Sequence, residues 1–302
     1  MSTALALAAL SDVAARDVIA RVQAQAVQRD VCYLGKCIRW RRFGDGSPLV
    51  LLHGGHGSWM HWLRNVEALA QQHTVWVPDM PGFNDSDALD PVPHGQDRMA
   101  PLIDALRATL DILIGEGTPV DLAGFSFGGL VAARLATERG AVRRMALLGV
   151  VGHGTARRQR EEMVDWQTHT DPQAVRTALH HNLRVQMLHE PQSIDALALT
   201  IHEISCARTR FRSKASSRAG GLQHLLDRYK QPLLMLWGEH DVTAFPESLA
   251  LQLRGEHIDR EWCLLPGAGH WVQYERASEV NRLMLSWFAQ TEACGTAQDL
   301  TH

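Results

Sequence analysis

This chain has almost no excess of charge. Its 302 residues carry 30 Lys and Arg against 33 Asp and Glu, a net charge of −3 with histidine neutral. No basic stripe and no heptad run appears, which excludes a nucleic-acid surface and a coiled coil. Cysteine is scarce too. The five residues Cys32, Cys37, Cys206, Cys263 and Cys294 are odd in number and lack a scaffold-like spacing. That excludes a disulfide framework and points to reduced thiols in a cytoplasmic protein. Cys32 and Cys37 have no second Cys/His pair beside them, so no metal site is expected. No apolar run is long enough to span a membrane. Met1 to Leu10 is Ala/Leu-rich, but Ser11–Asp12 interrupts it, and it lacks the positive start of a signal peptide.

What is present is apolar mass in a repeating order. Apolar residues make up 45% of the chain, enough for one large α/β domain with an insertion or for two smaller domains. Val13, Ala14, Val18, Ile19, Val22 and Ala26 recur at helical spacing, predicting a helix over 11–28 capped by Ser11 or Asp12. Val31 to Arg42 reads as two short antiparallel strands. Pro48–Leu52 reads as a strand buried on both faces, followed by the loop His53–Gly54–Gly55–His56–Gly57–Ser58. A helix over 59–71, a strand over 74–79, a helix over 98–114, a strand over 119–123 and a helix around 130–136 follow. Further strands are predicted over 144–151, 232–237 and 261–265, with helices over 246–253 and 277–289. Between Gly152 and about Arg228 the alternation stops, and the sequence turns polar and helical in period. Eight strands alternating with helices imply a mostly parallel sheet covered on both faces, with a helical cap inserted after the sixth strand. The division expected is an N-terminal helical extension over 1–30, a core over 31–151 and 229–302, and a helical cap over 152–228.

The chemistry centres on Gly124–Phe125–Ser126–Phe127–Gly128. Gly-x-Ser-x-Gly at a strand-to-helix turn is a nucleophile elbow: a tight turn strains the serine backbone and lifts its hydroxyl out of the sheet. A serine needs a base, and the base needs an orienting acid. Gly238–Glu239–His240–Asp241 follows the strand ending at Trp237, and Gly267–Ala268–Gly269–His270 follows the last strand. Asp241 and His270 therefore fall at the same sheet edge as Ser126, with Glu239 and His240 as neighbouring competitors for the acid. Two backbone donors are expected for an oxyanion, the N–H groups of Phe127 and Gly55.

With these residues in hand, the chain resembles the α/β-hydrolase superfamily. The likeness rests on His53–Gly54–Gly55, Asp79–Met80–Pro81–Gly82–Phe83, the elbow, Gly238–Asp241 and Gly267–His270. Two stretches, Pro81 to Asp87 and Gly269 to Glu275, are similar to the meta-cleavage-product hydrolases, which cut a carbon–carbon bond in dienoate diketones. The resemblance implies a Ser126–His270–Asp241 triad, no cofactor, and Trp271 lining the substrate pocket. It also implies a cap arginine for the substrate carboxylate, for which Arg208, Arg210 and Arg212 are candidates, or else a solvated basic face. Trp59 is either core or pocket wall. The expected partner is a small-molecule substrate, with a homo-oligomer left open and neither nucleic acid nor membrane. The rival readings are a carboxylesterase with the same triad and a non-catalytic binding protein on the same fold. Metal binding by His169, His180, His181, His189 and His202 fails because His180 and His181 cannot face one site.

Overall fold

The apolar runs become the middle of one eight-stranded sheet in the computed structural model, which describes residues 3–93 and 95–290, with side chains from Asp12 onward. The strands are β1 (Val27–Tyr33), β2 (Lys36–Phe43), β3 (Ser47–Leu52), β4 (His73–Pro78), β5 (Val120–Phe125), β6 (Val142–Leu148), β7 (Leu233–Gly238) and β8 (Arg260–Leu265). Their order is β1-β2-β4-β3-β5-β6-β7-β8. β1 and β2 pair antiparallel, β2 meets β4 antiparallel, and every pairing from β4 to β8 is parallel. The hairpin turns on Leu34 and Gly35, both at positive φ (48° and 74°), which matches the right-handed strand twist.

The central strands are continuous apolar runs because both faces are covered. In β3, Val50 and Leu52 join one buried cluster while Leu49 and Leu51 join the other. In β5, Leu122 faces the first cluster, and Ala123 and Phe125 the second. Period-two side chains thus feed two helical layers. The helices are α1 (Thr3–Ala24), α2 (Val66–Leu69), α3 (Met99–Ile114), α4 (Phe127–Arg139), α5 (Pro172–Asn182), α6 (Ala196–Ala207), α7 (Lys214–Arg218), α8 (Leu222–Arg228), α9 (Pro246–Arg254), α10 (Val272–Glu275) and α11 (Ala277–Ala289). Helices α5 to α8 all belong to the insertion between β6 and β7. Its Leu179, Leu183, Leu199 and Ile201 merge with one cluster, and its Leu222 and Leu226 with the other.

Three expectations change. The N-terminal helix does not start at a Ser11 or Asp12 cap but runs through both, from Thr3, and it ends at Ala24, leaving Val27 onward to β1. The helix expected over 59–71 is instead a 3-10 turn, Trp59–Trp62, and a single turn, α2. Trp59, Met60, His61, Trp62 and Leu63 are all buried, so packing on every side replaces the amphipathic register a helix would need. The sixth strand ends at Leu148, with Gly149 at positive φ (51°) turning the chain away. Residues 1–2 and 291–302 of the expected segments lie outside the described residues. No helix among the described residues is long and apolar enough to cross a membrane.

Candidate active site

Four loops meet at the carboxyl ends of β3, β5, β7 and β8. Ser126 separates β5 from α4 and holds φ 53°, ψ −116°, a conformation that L-residues occupy only under constraint. The constraint is steric. A Cβ on Gly124 would collide with the Gly128 carbonyl, and one on Gly128 with the carbonyls of Leu52 and His53. Strand and helix therefore approach at a distance that only glycine allows. Ser126 remains partly accessible, and the free N–H groups of the first turn of α4 lie beside it.

The structure brings Ser126, His270 and Asp241 into one line. His270 Nε2 lies 2.9 Å from Ser126 Oγ, and His270 Nδ1 lies 2.8 Å from Asp241 Oδ2. Asp241 is fully buried and His270 nearly so. The other carboxylate oxygen, Asp241 Oδ1, accepts the Thr243 N–H at 2.7 Å and the Thr243 hydroxyl at 2.8 Å. Burial works against the Asp241 charge, but the His270 partner and the Thr243 donors outweigh it, so its pKa falls below the ordinary value. The imidazole also rests on Phe125, ring centroids 5.0 Å apart. A Cβ on Gly149 would come within 3.0 Å of His270 Nδ1 and 3.1 Å of Asp241 Oδ2. The end of β6 is thus the shelf on which the pair sits. Of the competitors, Glu239 is exposed and accepts the Gly267 N–H at 3.2 Å, while His240 stacks on His189 at 3.6 Å.

Gly55 lies against the elbow: a Cβ there would be 3.7 Å from Phe127 Cβ and would collide with Ser213 Oγ. The insertion roofs this space. Phe211 packs on Phe83 at 5.7 Å and Phe127 at 5.6 Å. Its backbone is tied down, because the N–H groups of Arg210 and Phe211 donate to the Gly82 carbonyl at 2.8 and 3.1 Å.

Two of the expected outer residues, Arg208 and Arg210, are engaged elsewhere. Arg208 pairs with Asp85 at 2.9 Å, and Arg210 donates to the Asn84 carbonyl at 3.2 Å and to that of Ser86. Arg212 is exposed. The arginines at 208 and 210 therefore clamp the insertion to the Pro81–Asp87 loop. Trp59 is a core residue: it is 1% exposed, stacks on Phe43 and lies under the Arg41 guanidinium at 4.9 Å. Trp271 is also buried, its Nε1 donating to the His61 carbonyl at 3.1 Å and its ring against Tyr274. Sequence reasoning missed Thr243 and Gly149. The Asp-x-Thr spacing at 241–243, a local side-chain-to-backbone pattern, was a signal for the first. For the second there was only a glycine at a strand end.

Comparison with known proteins agrees with this fold. Residues 47–277 match the family model described as the alpha/beta hydrolase fold. The chain is 32% identical over 274 residues to a dihydrolipoyllysine-residue acetyltransferase component of an acetoin cleaving system from Pseudomonas putida, covering 84% of this chain and 67% of that protein. It is 28% identical over 263 residues to a 2-hydroxy-6-oxo-6-phenylhexa-2,4-dienoate hydrolase from Burkholderia cepacia, covering 82% and 89%. Among solved structures, a meta-cleavage product hydrolase from Pseudomonas fluorescens superposes with a TM-score of 0.66 at 20% identity, covering 86% and 97%. Naproxen esterase from Bacillus subtilis superposes with a TM-score of 0.70 at 19% identity, covering 91% and 96%. At these identities the structural likenesses speak for the fold alone.

Proposed function

Because the chain belongs to the alpha/beta hydrolase family, we propose that it is a serine hydrolase acting by acyl transfer on a small carbonyl substrate. The observation that carries this reading is the continuous line from Ser126 through His270 to Asp241, at 2.9 and 2.8 Å. Asp241 accepts from Nδ1–H, so Nε2 is left as the acceptor for the serine proton. Ser126 Oγ attacks the carbonyl as His270 takes its proton, and Asp241 steadies the imidazolium. The N–H groups of Gly55 and Phe127 receive the oxyanion. His270 then returns the proton to the leaving group, and water, deprotonated by the same histidine, releases the acyl group.

The bond proposed first is the carbon–carbon bond of a meta-cleavage-type dienoate, supported by relatives that bear that activity in their names over 82–84% of this chain. This route adds a tautomerisation of the dienol to the ketone before attack. A specific observation favours the second reading, a carboxylesterase: Arg208 and Arg210 are engaged with the Pro81–Asp87 loop and not with the site. The deciding experiment compares kcat/KM on a short p-nitrophenyl ester and on a 2-hydroxy-6-oxo-dienoate, the latter followed by loss of its visible absorbance. Preference for the dienoate by a hundredfold or more, about 3 kcal/mol in transition-state binding, establishes the carbon–carbon reading. Ester cleavage without dienoate turnover replaces it with the esterase.

A further inference from the structure

The loop after β3 is wrapped around a buried imidazole that takes no part in the serine–histidine–aspartate line. His61 is 2% exposed, and its Nδ1 accepts the Gly54 N–H at 3.2 Å. Gly54 is held from its other end as well. Its carbonyl accepts from His53 Nδ1 at 2.9 Å and from the Gly57 N–H at 3.2 Å. His53 Nε2 in turn accepts the Met80 N–H at 3.0 Å, which puts the His53 proton on Nδ1. By the same reasoning the His61 proton sits on Nε2. Two neutral imidazoles of opposite tautomer thus grip one glycine.

The grip has a direction. In a planar trans peptide the N–H points opposite to the C=O. With the Gly54 oxygen turned towards His53 and Gly57, the Gly55 N–H of the same peptide is turned away from them. Gly55 itself lies against Phe127. The loop has no slack around the ring, for a Cβ on Gly57 would collide with His61, and one on Gly54 would come within 3.3 Å of its Nδ1. On its other sides the ring meets Phe125 at 5.3 Å and Trp271 at 4.9 Å. The charged or titratable groups facing it are His53 and His56 of the loop, His202 of α6 and His270, with no carboxylate among them. Burial and these imidazoles hold its pKa well below the ordinary value.

We propose that His61 is a positioning residue for acyl transfer: through its unprotonated Nδ1 it fixes Gly54 and so aims the Gly55 N–H at the developing oxyanion. This rests on the acyl-transfer reading above and on Gly55 as a donor. The test compares wild type, His61→Asn and His61→Gln on a p-nitrophenyl ester. Live sites are counted by fluorophosphonate titration, and affinity for a boronic acid that mimics the tetrahedral state is measured alongside. Asparagine places its amide oxygen near the position of Nδ1; glutamine carries its own out to Nε2. Both are polar and of similar bulk. His61→Asn is expected to keep kcat per live site within about threefold. His61→Gln is expected to lose about 10–100-fold in kcat with KM within about twofold, and to lose boronate affinity in parallel, because the donor acts in the transition state. A purely structural role would lower Tm in both variants and leave kcat per live site equal, and that result overturns the proposal. Wild type that is not labelled at Ser126 would overturn the acyl-transfer reading, and this inference with it. Labelled wild type with an unimpaired His61→Gln overturns the role of His61 alone.

Discussion

The carboxyl edge of the sheet and the insertion between β6 and β7 are built by different rules. At the sheet edge, each reactive group sits one to five residues beyond a strand, and backbone sterics hold it. Ser126 is clamped by glycines that accept no Cβ, and Asp241 and His270 lie on the Gly149 shelf. In the insertion, side chains are held by partners far away in sequence: Arg208 by Asp85, Arg210 by the Asn84 carbonyl, and Phe211 by Phe83 and Phe127. The edge holds the groups proposed for the chemistry, whereas the insertion closes the space above them. Chemistry fixed by the backbone should fail all at once when one group is removed, and closure by distributed contacts should degrade in steps.

The largest effect expected is at the edge. Ser126→Ala removes the proposed nucleophile and leaves Gly124 and Gly128 to shape the turn. We expect kcat to fall by ~10³ or more, with Tm within a few degrees of wild type. Retained turnover on either the ester or the dienoate would break the comparison at its strongest point, since the backbone would then be holding a residue that does no chemistry.

The same difference decides what could be read from the chain. A strand–turn–helix that forces a serine to positive φ leaves glycines at fixed spacing, so Gly124 to Gly128 was legible. Asp241 and His270 were legible because parallel strands deliver every following loop to one edge. Arg210 was not: its partners are backbone carbonyls at Asn84 and Ser86, and a carbonyl leaves no mark in sequence. Trp59 was left open between core and pocket wall for a related reason. Its neighbours Phe43 and Arg41 come from β2, and no local spacing distinguishes a core tryptophan from one lining a pocket. The 3-10 turn at Trp59–Trp62 was read as helix because burial on all sides erases the periodicity on which the reading depends.

Acid should test whether the two regions unfold together. Burial holds the His53 pKa at about 4 in the loop after β3, and burial with the neighbouring His56 holds that of His202 at about 4 in α6. In the unfolded chain both groups return to about 6.5. Between these values the unfolded state binds protons that the folded state refuses. The stability they confer is therefore complete above about pH 6.5, falls as the pH drops, and is gone below about pH 4. We expect a loss on the order of a few kcal/mol over that window, seen by calorimetry as a falling Tm. One cooperative transition is expected throughout, because the insertion's Leu199 and Ile201 share a cluster with Leu51 and Phe125 of the sheet. Two resolved transitions would show the insertion to be the weaker unit. A constant Tm from pH 7 to about 4.5 would mean that these histidines are not kept neutral by the fold.

The smallest effect is expected from the clamp. Arg210→Ala removes the guanidinium bonds to the Asn84 and Ser86 carbonyls but keeps the main-chain bonds from residues 210 and 211 to Gly82. Arg210 is itself exposed, so the loss of its hydrogen bonds is softened by solvent and should cost about 1 kcal/mol. KM should rise by no more than about fivefold, and to the same extent for the ester and the dienoate, because a loosened roof affects both alike. Charge recognition would look different: KM for the anionic dienoate would climb by a hundredfold or more while that for the neutral ester stayed put. That split would turn Arg210 from a clamp into a substrate anchor. The insertion would then hold part of the recognition chemistry, and the division between a reacting edge and a closing roof would have to be redrawn at this residue.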